Sequence, residues 1–231
     1  MAGSGQGPQH PQPSTAPGGV SAADLQAYGT AVGLTKTLLV KLAGSRLAAT
    51  QAIDYPASGV PNWVSVDVFT AQLEASEVAG TRALVRAIRA AEQGGCQGRP
   101  VLLAGYSQGA EVVIRAVDAL SPQQRSGVAV ALFGNPSYEP HVAGDYPTSV
   151  RGRGLRPSVT GSAFTLPADV RARTLDICAP GDPVCAMAPG ATTASAKLTY
   201  LQRHAYIHAG AYAFGTAGYA KLAAQFLWRH R

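Results

Sequence analysis

No stretch of this chain approaches the roughly 18 consecutive apolar residues of a membrane-spanning helix, so no transmembrane segment is expected. Charge is thin as well. Asp, Glu, Lys and Arg make up 14% of the residues, and the nineteen Lys and Arg behind the net charge of +6 are scattered rather than run together. Aromatic residues are only 7%. Without a basic stripe or a set of aromatic stacking platforms no nucleic-acid partner is expected, and the basic surplus reads as a solvated surface. Residues Met1 to Val20 lack apolar side chains almost entirely. Such a segment cannot offset its ordering entropy, so residues 1–20 are expected to be a disordered Gly/Pro/Ser/Gln-rich head. The head has no basic region followed by an apolar one, and so does not read as a secretory signal peptide. No internal repeat is visible. What is present is 231 residues at 46% hydrophobic, enough to bury a full core, and residues 21–231 are expected to form one domain.

The stretch Val101-Leu102-Leu103-Ala104-Gly105-Tyr106-Ser107-Gln108-Gly109-Ala110 carries the first chemical signal. An apolar run passes through G-x-S-x-G and continues as a helical pattern, with Val112, Val113, Ala116, Val117 and Leu120 on one face. Strand, tight turn and helix are the setting of a nucleophile elbow. A serine in such a turn projects its hydroxyl above the sheet edge, and Gly105 and Gly109 leave room for the neighbouring elements. The amide of Gln108 then stands at the helix N-terminus, where it can donate to an oxyanion. The competing reading is a glycine-rich turn with a passive serine.

Along the rest of the chain, Ser21 to Leu47 reads as a helix and Ala49 to Tyr55 as a short strand leading into a loop. Glu74 to Glu92 is a long amphipathic helix stopped by Gly94-Gly95. Ser121-Pro122 breaks the chain, and Val128 to Phe133 is a continuous apolar run of the kind found in buried parallel strands. Ser137 to Val170 shows no period and is expected to be irregular. Arg171 to Ile177 is a further strand, and Gly218 to Trp228 is a closing helix. Strands alternating with helices argue for an α/β fold with a central parallel sheet covered on both faces, a three-layer α/β/α sandwich.

Cys178 and Cys185 straddle Asp182 in Cys178-Ala179-Pro180-Gly181-Asp182-Pro183-Val184-Cys185. A disulfide here would close a small loop and fix the carboxylate at the mouth of the sheet; a metal pair and two free thiols are the alternatives. Zinc wants about four ligands, which the surrounding sequence does not supply. A disulfide would imply an oxidising compartment. Of the five histidines, His10 falls in the head, His230 near the end, and His141 before the aspartate, against the order Ser, Asp, His that this motif usually follows. His204 and His208 follow Asp182. They stand four apart, but without the glutamate of an H-E-x-x-H pattern a metal role is not expected.

Taken together, Gly105-Tyr106-Ser107-Gln108-Gly109-Ala110, Leu132-Phe133-Gly134-Asn135-Pro136, the Cys178–Asp182–Cys185 spacing and a histidine before a final Ala-Ala-x-Phe helix resemble the cutinase family, over about Gly29 to Leu227. The resemblance implies a small α/β hydrolase with little or no lid, secreted and monomeric, that cleaves carboxylic esters such as cutin-like polyesters, acylglycerols or other lipid esters without a cofactor. It implies Ser107 as nucleophile, Asp182 as orienting acid, and Gln108 and Thr30 as oxyanion-hole residues, Gly29-Thr30 matching the family's Gly-Ser or Gly-Thr pair. His208 is the expected base, because Tyr212 and Phe214 follow it closely and it stands nearer the last helix than His204. The family usually begins with a strand that carries a cysteine. Here Ser21 to Tyr28 reads as helix without one, which leaves Cys96 without its family partner and the N-terminal strand missing. A catalytically impaired lipid- or cell-wall-binding relative, a mycolyl esterase and a peptidase are the other classes this pattern admits.

Overall fold

The computed structural model describes residues 30–46, 49–58, 66–142, 144–147, 149–187 and 217–231, with short pieces between 193 and 212 that include 207–208 and 210–212. The head, Gly29, Trp63 and His204 lie outside the described residues. So does the side chain of Thr30, whose backbone opens the first helix.

Among the described residues four strands form one parallel sheet: β1 (Val101–Tyr106), β2 (Val128–Phe133), β3 (Asp145–Tyr146) and β4 (Thr174–Ile177), in the spatial order β1-β2-β4-β3. Every residue of β2 is buried, as the unbroken run Val-Ala-Val-Ala-Leu-Phe requires of a central strand covered on both faces. The pleat sends alternate residues to opposite sides. Val128, Val130 and Leu132 pack with Leu103 against α2 (Val66–Ala91) and α3 (Gln108–Asp118). Ala129, Ala131 and Phe133 pack with Leu175 and Ile177 against α1 (Thr30–Ala43) and α7 (Ala217–Arg229). The sandwich therefore has three layers and two cores.

Several expectations shift. Residues 49–55 form no strand. They run as irregular backbone, and Tyr55 is buried while Ile53 packs in part against the core that α2 and α3 cover, so their apolar side chains serve packing rather than a ladder. The helix expected from Glu74 begins at Val66. Of its opening residues, Asp67, Val68, Ala71 and Gln72 are exposed. The last expected strand starts at Thr174 rather than Arg171, because Ala168–Arg171 form a short helix, α6, whose Arg171 amide donates to Pro167 O. The stretch Ser137 to Val170 is not wholly irregular. It holds β3, α6 and α5 (Leu155–Thr160), the last ended by Gly161 in the left-handed conformation that helix C-termini favour. The break at Ser121-Pro122 is a one-turn helix, α4 (Pro122–Arg125), opened by a Ser121/Gln124 capping box. Among the described residues no helix is long and apolar enough to cross a membrane.

Ser107 and Gly134 directly follow β1 and β2, and the Asp182 loop follows β4, at the C-terminal edge where open parallel sheets gather their ligands. The two-sided core predicts that Leu132→Ala, at 1% exposure, lowers unfolding free energy by about 2–5 kcal/mol in urea titrations. Val40→Ala, at 41% exposure, should change it by less than about 0.5 kcal/mol.

Candidate active site

Ser107 follows β1 and is the N-cap of α3. It has φ 53° and ψ −125°, one of two non-glycine residues with positive φ among those described. This is a strained conformation for a residue with a Cβ and persists only where neighbours enforce it. They do so here. The Ser107 amide donates to Phe133 O of β2 at 2.8 Å, and its carbonyl accepts from Ala110 N at 2.8 Å. The turn is so tight that a Cβ on Gly105 would lie 2.4 Å from Gly109 O. The strand thus runs directly under the helix start, and the spacing of the glycines in G-x-S-x-G follows from that approach. Gln108 is 1% exposed. Its side-chain Nε2 donates to Leu73 O of α2 at 3.4 Å, while its amide belongs to the N-terminal set that an α-helix leaves without internal partners.

Beyond β4 the chain carries Asp182 in a loop closed by the Cys178–Cys185 disulfide. Cys96 is free and half-buried. Asp182 has no exposed surface. Its Oδ1 accepts from the Val184 amide at 2.8 Å and lies 2.9 Å from His208 Nδ1; its Oδ2 accepts from the Tyr212 hydroxyl at 2.7 Å and lies 3.0 Å from the same Nδ1. Burial pushes this carboxyl up, but His208, the Val184 amide and Tyr212 outweigh it and hold the group below the ordinary aspartate value. Tyr212 shifts the other way: burial and then the Asp182 charge raise its hydroxyl well above the usual tyrosine value, so it stays a neutral donor.

His208 is held on its remaining sides. Its ring stacks on Tyr106 with centroids 4.7 Å apart and planes 15° from parallel, and the Tyr106 hydroxyl donates to His208 O at 3.2 Å. Gly134, at φ 55°, comes so close that a Cβ there would stand 2.5 Å from His208 Cε1 and 2.9 Å from Asp182 Oδ2. With Nδ1 committed to Asp182, the buried Nε2 has no hydrogen-bond partner among the described residues. The structure therefore brings Asp182 and His208 together, beside the residue that precedes Ser107. His204 and the Thr30 side chain lie outside what it describes.

Three residues contribute to the site in ways the sequence does not show. Tyr212 stands four residues after His208, a spacing that lets both face one way, but its bond to Asp182 is not visible in the sequence. Tyr106 occupies a position that the motif leaves open. Gly134 stands in the Leu132-Phe133-Gly134-Asn135-Pro136 stretch that carries the resemblance, but its approach to His208 is a tertiary contact that the sequence does not show.

A family model described as Cutinase matches residues 17–215. The proteins named Carboxylesterase Culp1 from Mycobacterium tuberculosis and Mycobacterium bovis are 28% identical over 165 residues; the match covers 71% of this chain and spans only 63% of their own length. Among solved structures, the catalytic core domain of acetyl xylan esterase from Trichoderma reesei superposes with a TM-score of 0.59 at 21% identity, over 100% of this chain and 97% of that one. A cutinase-like protein from Cryptococcus sp. gives 0.51 at 22% identity, over 90% and 92%. At these identities the solved structures speak for the fold.

The Asp182 environment generates a prediction. A carboxyl depressed in the folded state contributes stability that is present above its unfolded pKa, about 3.9, and lost as pH falls through the folded value. Tyr212→Phe removes one donor to that carboxylate. It should lower stability near neutral pH by about 1–3 kcal/mol and move acid unfolding, followed by circular dichroism, to higher pH. An unchanged acid midpoint would mean that Tyr212 does not hold the carboxylate in its charged form.

Proposed function

This chain belongs to the cutinase family, and from that footing we propose that it is a serine esterase that hydrolyses carboxylic esters through an acyl-enzyme. The observation that carries the reading is the buried Asp182–His208 pair, whose free Nε2 stands at the C-terminal edge of the sheet where the strained turn presents Ser107. Ser107 is the nucleophile, His208 the general base and Asp182 the group that fixes the imidazole tautomer. Because Nδ1–H is held by the carboxylate, Nε2 is the nitrogen left to take a proton. As Ser107 Oγ attacks the ester carbonyl, its proton passes to Nε2, and Asp182 stabilises the imidazolium that forms. The carbonyl oxygen becomes an oxyanion. The Gln108 amide at the start of α3 receives it, with Thr30 as the second donor; one such donor is worth about 100- to 1,000-fold in rate. The imidazolium protonates the departing alcohol, and water repeats the sequence on the acyl-serine. None of these steps calls on a metal or an organic cofactor.

The substrate class is a lipid or polyester ester, and the chain acts on it as a monomer. The disulfide beside Asp182 fits an oxidising compartment, which supports a secreted enzyme.

An acyl-chain series of p-nitrophenyl esters tests the reading. Ser107→Ala and His208→Ala should each remain folded and lose about 10,000-fold or more in kcat. His204→Ala should lose less than about tenfold. Hydrolysis that survives Ser107→Ala within about tenfold, or a loss that follows His204 instead of His208, would overturn the assignment.

A further inference from the structure

Below the elbow lies a second buried polar cluster that the ester chemistry does not use. Glu77 of α2 and Glu111 of α3 are both fully buried. Arg156 of α5 lies between them. Its Nε donates to Glu111 Oε1 at 2.6 Å. Its Nη2 donates to Glu111 Oε2 at 2.9 Å and to Glu77 Oε1 and Oε2 at 2.8 and 2.7 Å. Arg115 of α3 reaches Glu77 at 3.1 Å and Glu74 at 2.7 Å. The cluster also extends into the loop after β2, where the Ser137 hydroxyl donates to Glu111 Oε1 at 2.5 Å. That loop opens with Gly134, the residue pressed against His208 and Asp182. The Arg156 amide donates to Pro136 O in the same loop at 2.9 Å. Phe164 lies under both guanidiniums, 4.2 Å from Arg156 and 4.8 Å from Arg115.

Glu111 stands one helical turn after Ser107, on the helix whose first residue is Gln108. Fixing Glu111 therefore fixes the rotation and advance of the helix that presents both the hydroxyl and the oxyanion amide. We propose that Arg156 is a positioning residue for Ser107: by bridging Glu77 and Glu111 it locks the elbow helix to α2 and to the Gly134–Ser137 loop, and so sets the serine against the Asp182–His208 pair. This rests on the esterase reading above. A lysine would not serve, since it offers a point charge where the two carboxyls need a planar fork.

The charges of the cluster agree with the geometry. Burial, then the Glu111 charge, push the Glu77 carboxyl up to about 9, against the opposing pull of Arg156 and Arg115. The groups that face it are Glu74 on its own helix, Glu111 and Arg115 on α3, Arg156 on α5, and Tyr55 from the irregular 49–58 segment, whose hydroxyl burial keeps neutral. Two guanidiniums, Arg115 and Arg156, thus face the three carboxyl groups of Glu74, Glu77 and Glu111. Deprotonation places a second buried negative charge beside Glu111 and loosens the lock. The sign follows: a carboxyl raised in the folded state loses stabilising effect as pH climbs from its unfolded value towards about 9.

Wild type, Arg156→Lys, Glu77→Gln, Ser137→Ala and a control, Arg153→Met, whose arginine pairs with Glu139 at the surface, are compared for ester kcat and KM, for the rate of Ser107 modification by a fluorophosphonate, and for circular dichroism, with kcat measured from about pH 7 to about pH 10. Arg156→Lys should keep its fold and lose about 100-fold in kcat, as a small misplacement of the nucleophile does, with KM within about threefold and fluorophosphonate labelling slowed in parallel. Glu77→Gln mimics the protonated form, so its kcat should hold on the alkaline side where that of wild type declines. Arg153→Met should stay within about twofold. A folded Arg156→Lys with wild-type kcat, or superimposable pH profiles for wild type and Glu77→Gln, overturns the proposal. If Arg156→Lys fails to fold, Ser137→Ala and Glu77→Gln decide: unchanged kcat in the first and an unchanged profile in the second overturn it. Wild type that neither hydrolyses esters nor takes up the probe overturns the esterase reading, and this proposal with it, whereas active wild type with indifferent variants overturns this proposal alone.

Discussion

A carboxylate without solvent contact is costly unless several donors converge on it, and Asp182 is such a group. Three sets of contacts meet the cost: the Val184 amide from its own loop, the Tyr212 hydroxyl, and His208 Nδ1. Much of the architecture at this edge follows from bringing those donors together. The disulfide closes the loop that carries Asp182 and Val184. Gly134 gives up its side chain so that the pair can sit against the end of β2. Tyr106 supplies a flat ring under the imidazole and a hydroxyl for the histidine's own carbonyl.

The parallel sheet places these parts without long-range adjustment. β1, β2 and β4 lie side by side and end at one edge, so the segments after them carry Ser107, Gly134 and Asp182 into one neighbourhood. The elbow adds local strain, held in place by a hydrogen bond from the Ser107 amide to the last residue of β2. The serine's backbone is thus tied to the adjacent strand as well as to its own helix. The buried Arg156 cluster repeats the pattern one layer down, linking α2, α3 and α5 at the point where α3 begins.

The parts legible in the sequence were those encoded locally. The elbow strand and helix showed as an apolar run followed by a helical period, and β2 showed as an unbroken apolar run, because each faces a core throughout its length. The Cys178–Cys185 bond was readable because both partners lie on one short loop. The parts not legible were those created by tertiary contact. Arg156, Glu77 and Glu111 are 45 and 79 residues apart in their pairings with the arginine, and each alone reads as an ordinary charged residue of a helix. The start of α2 was less legible, where Asp67, Val68, Ala71 and Gln72 are exposed. Residues 49–55 resembled a strand by composition, yet their apolar side chains fill a helix-covered core instead.

The central claim is that Ser107 is activated by the Asp182–His208 pair. The direct measurement is peptide mass mapping after exposure to a fluorophosphonate, on wild type and on His208→Ala. The account predicts one covalent adduct, on Ser107, formed rapidly in wild type and slowed about 1,000-fold or more without the histidine. An adduct on another residue, or equal rates of Ser107 labelling in the two proteins, would contradict it.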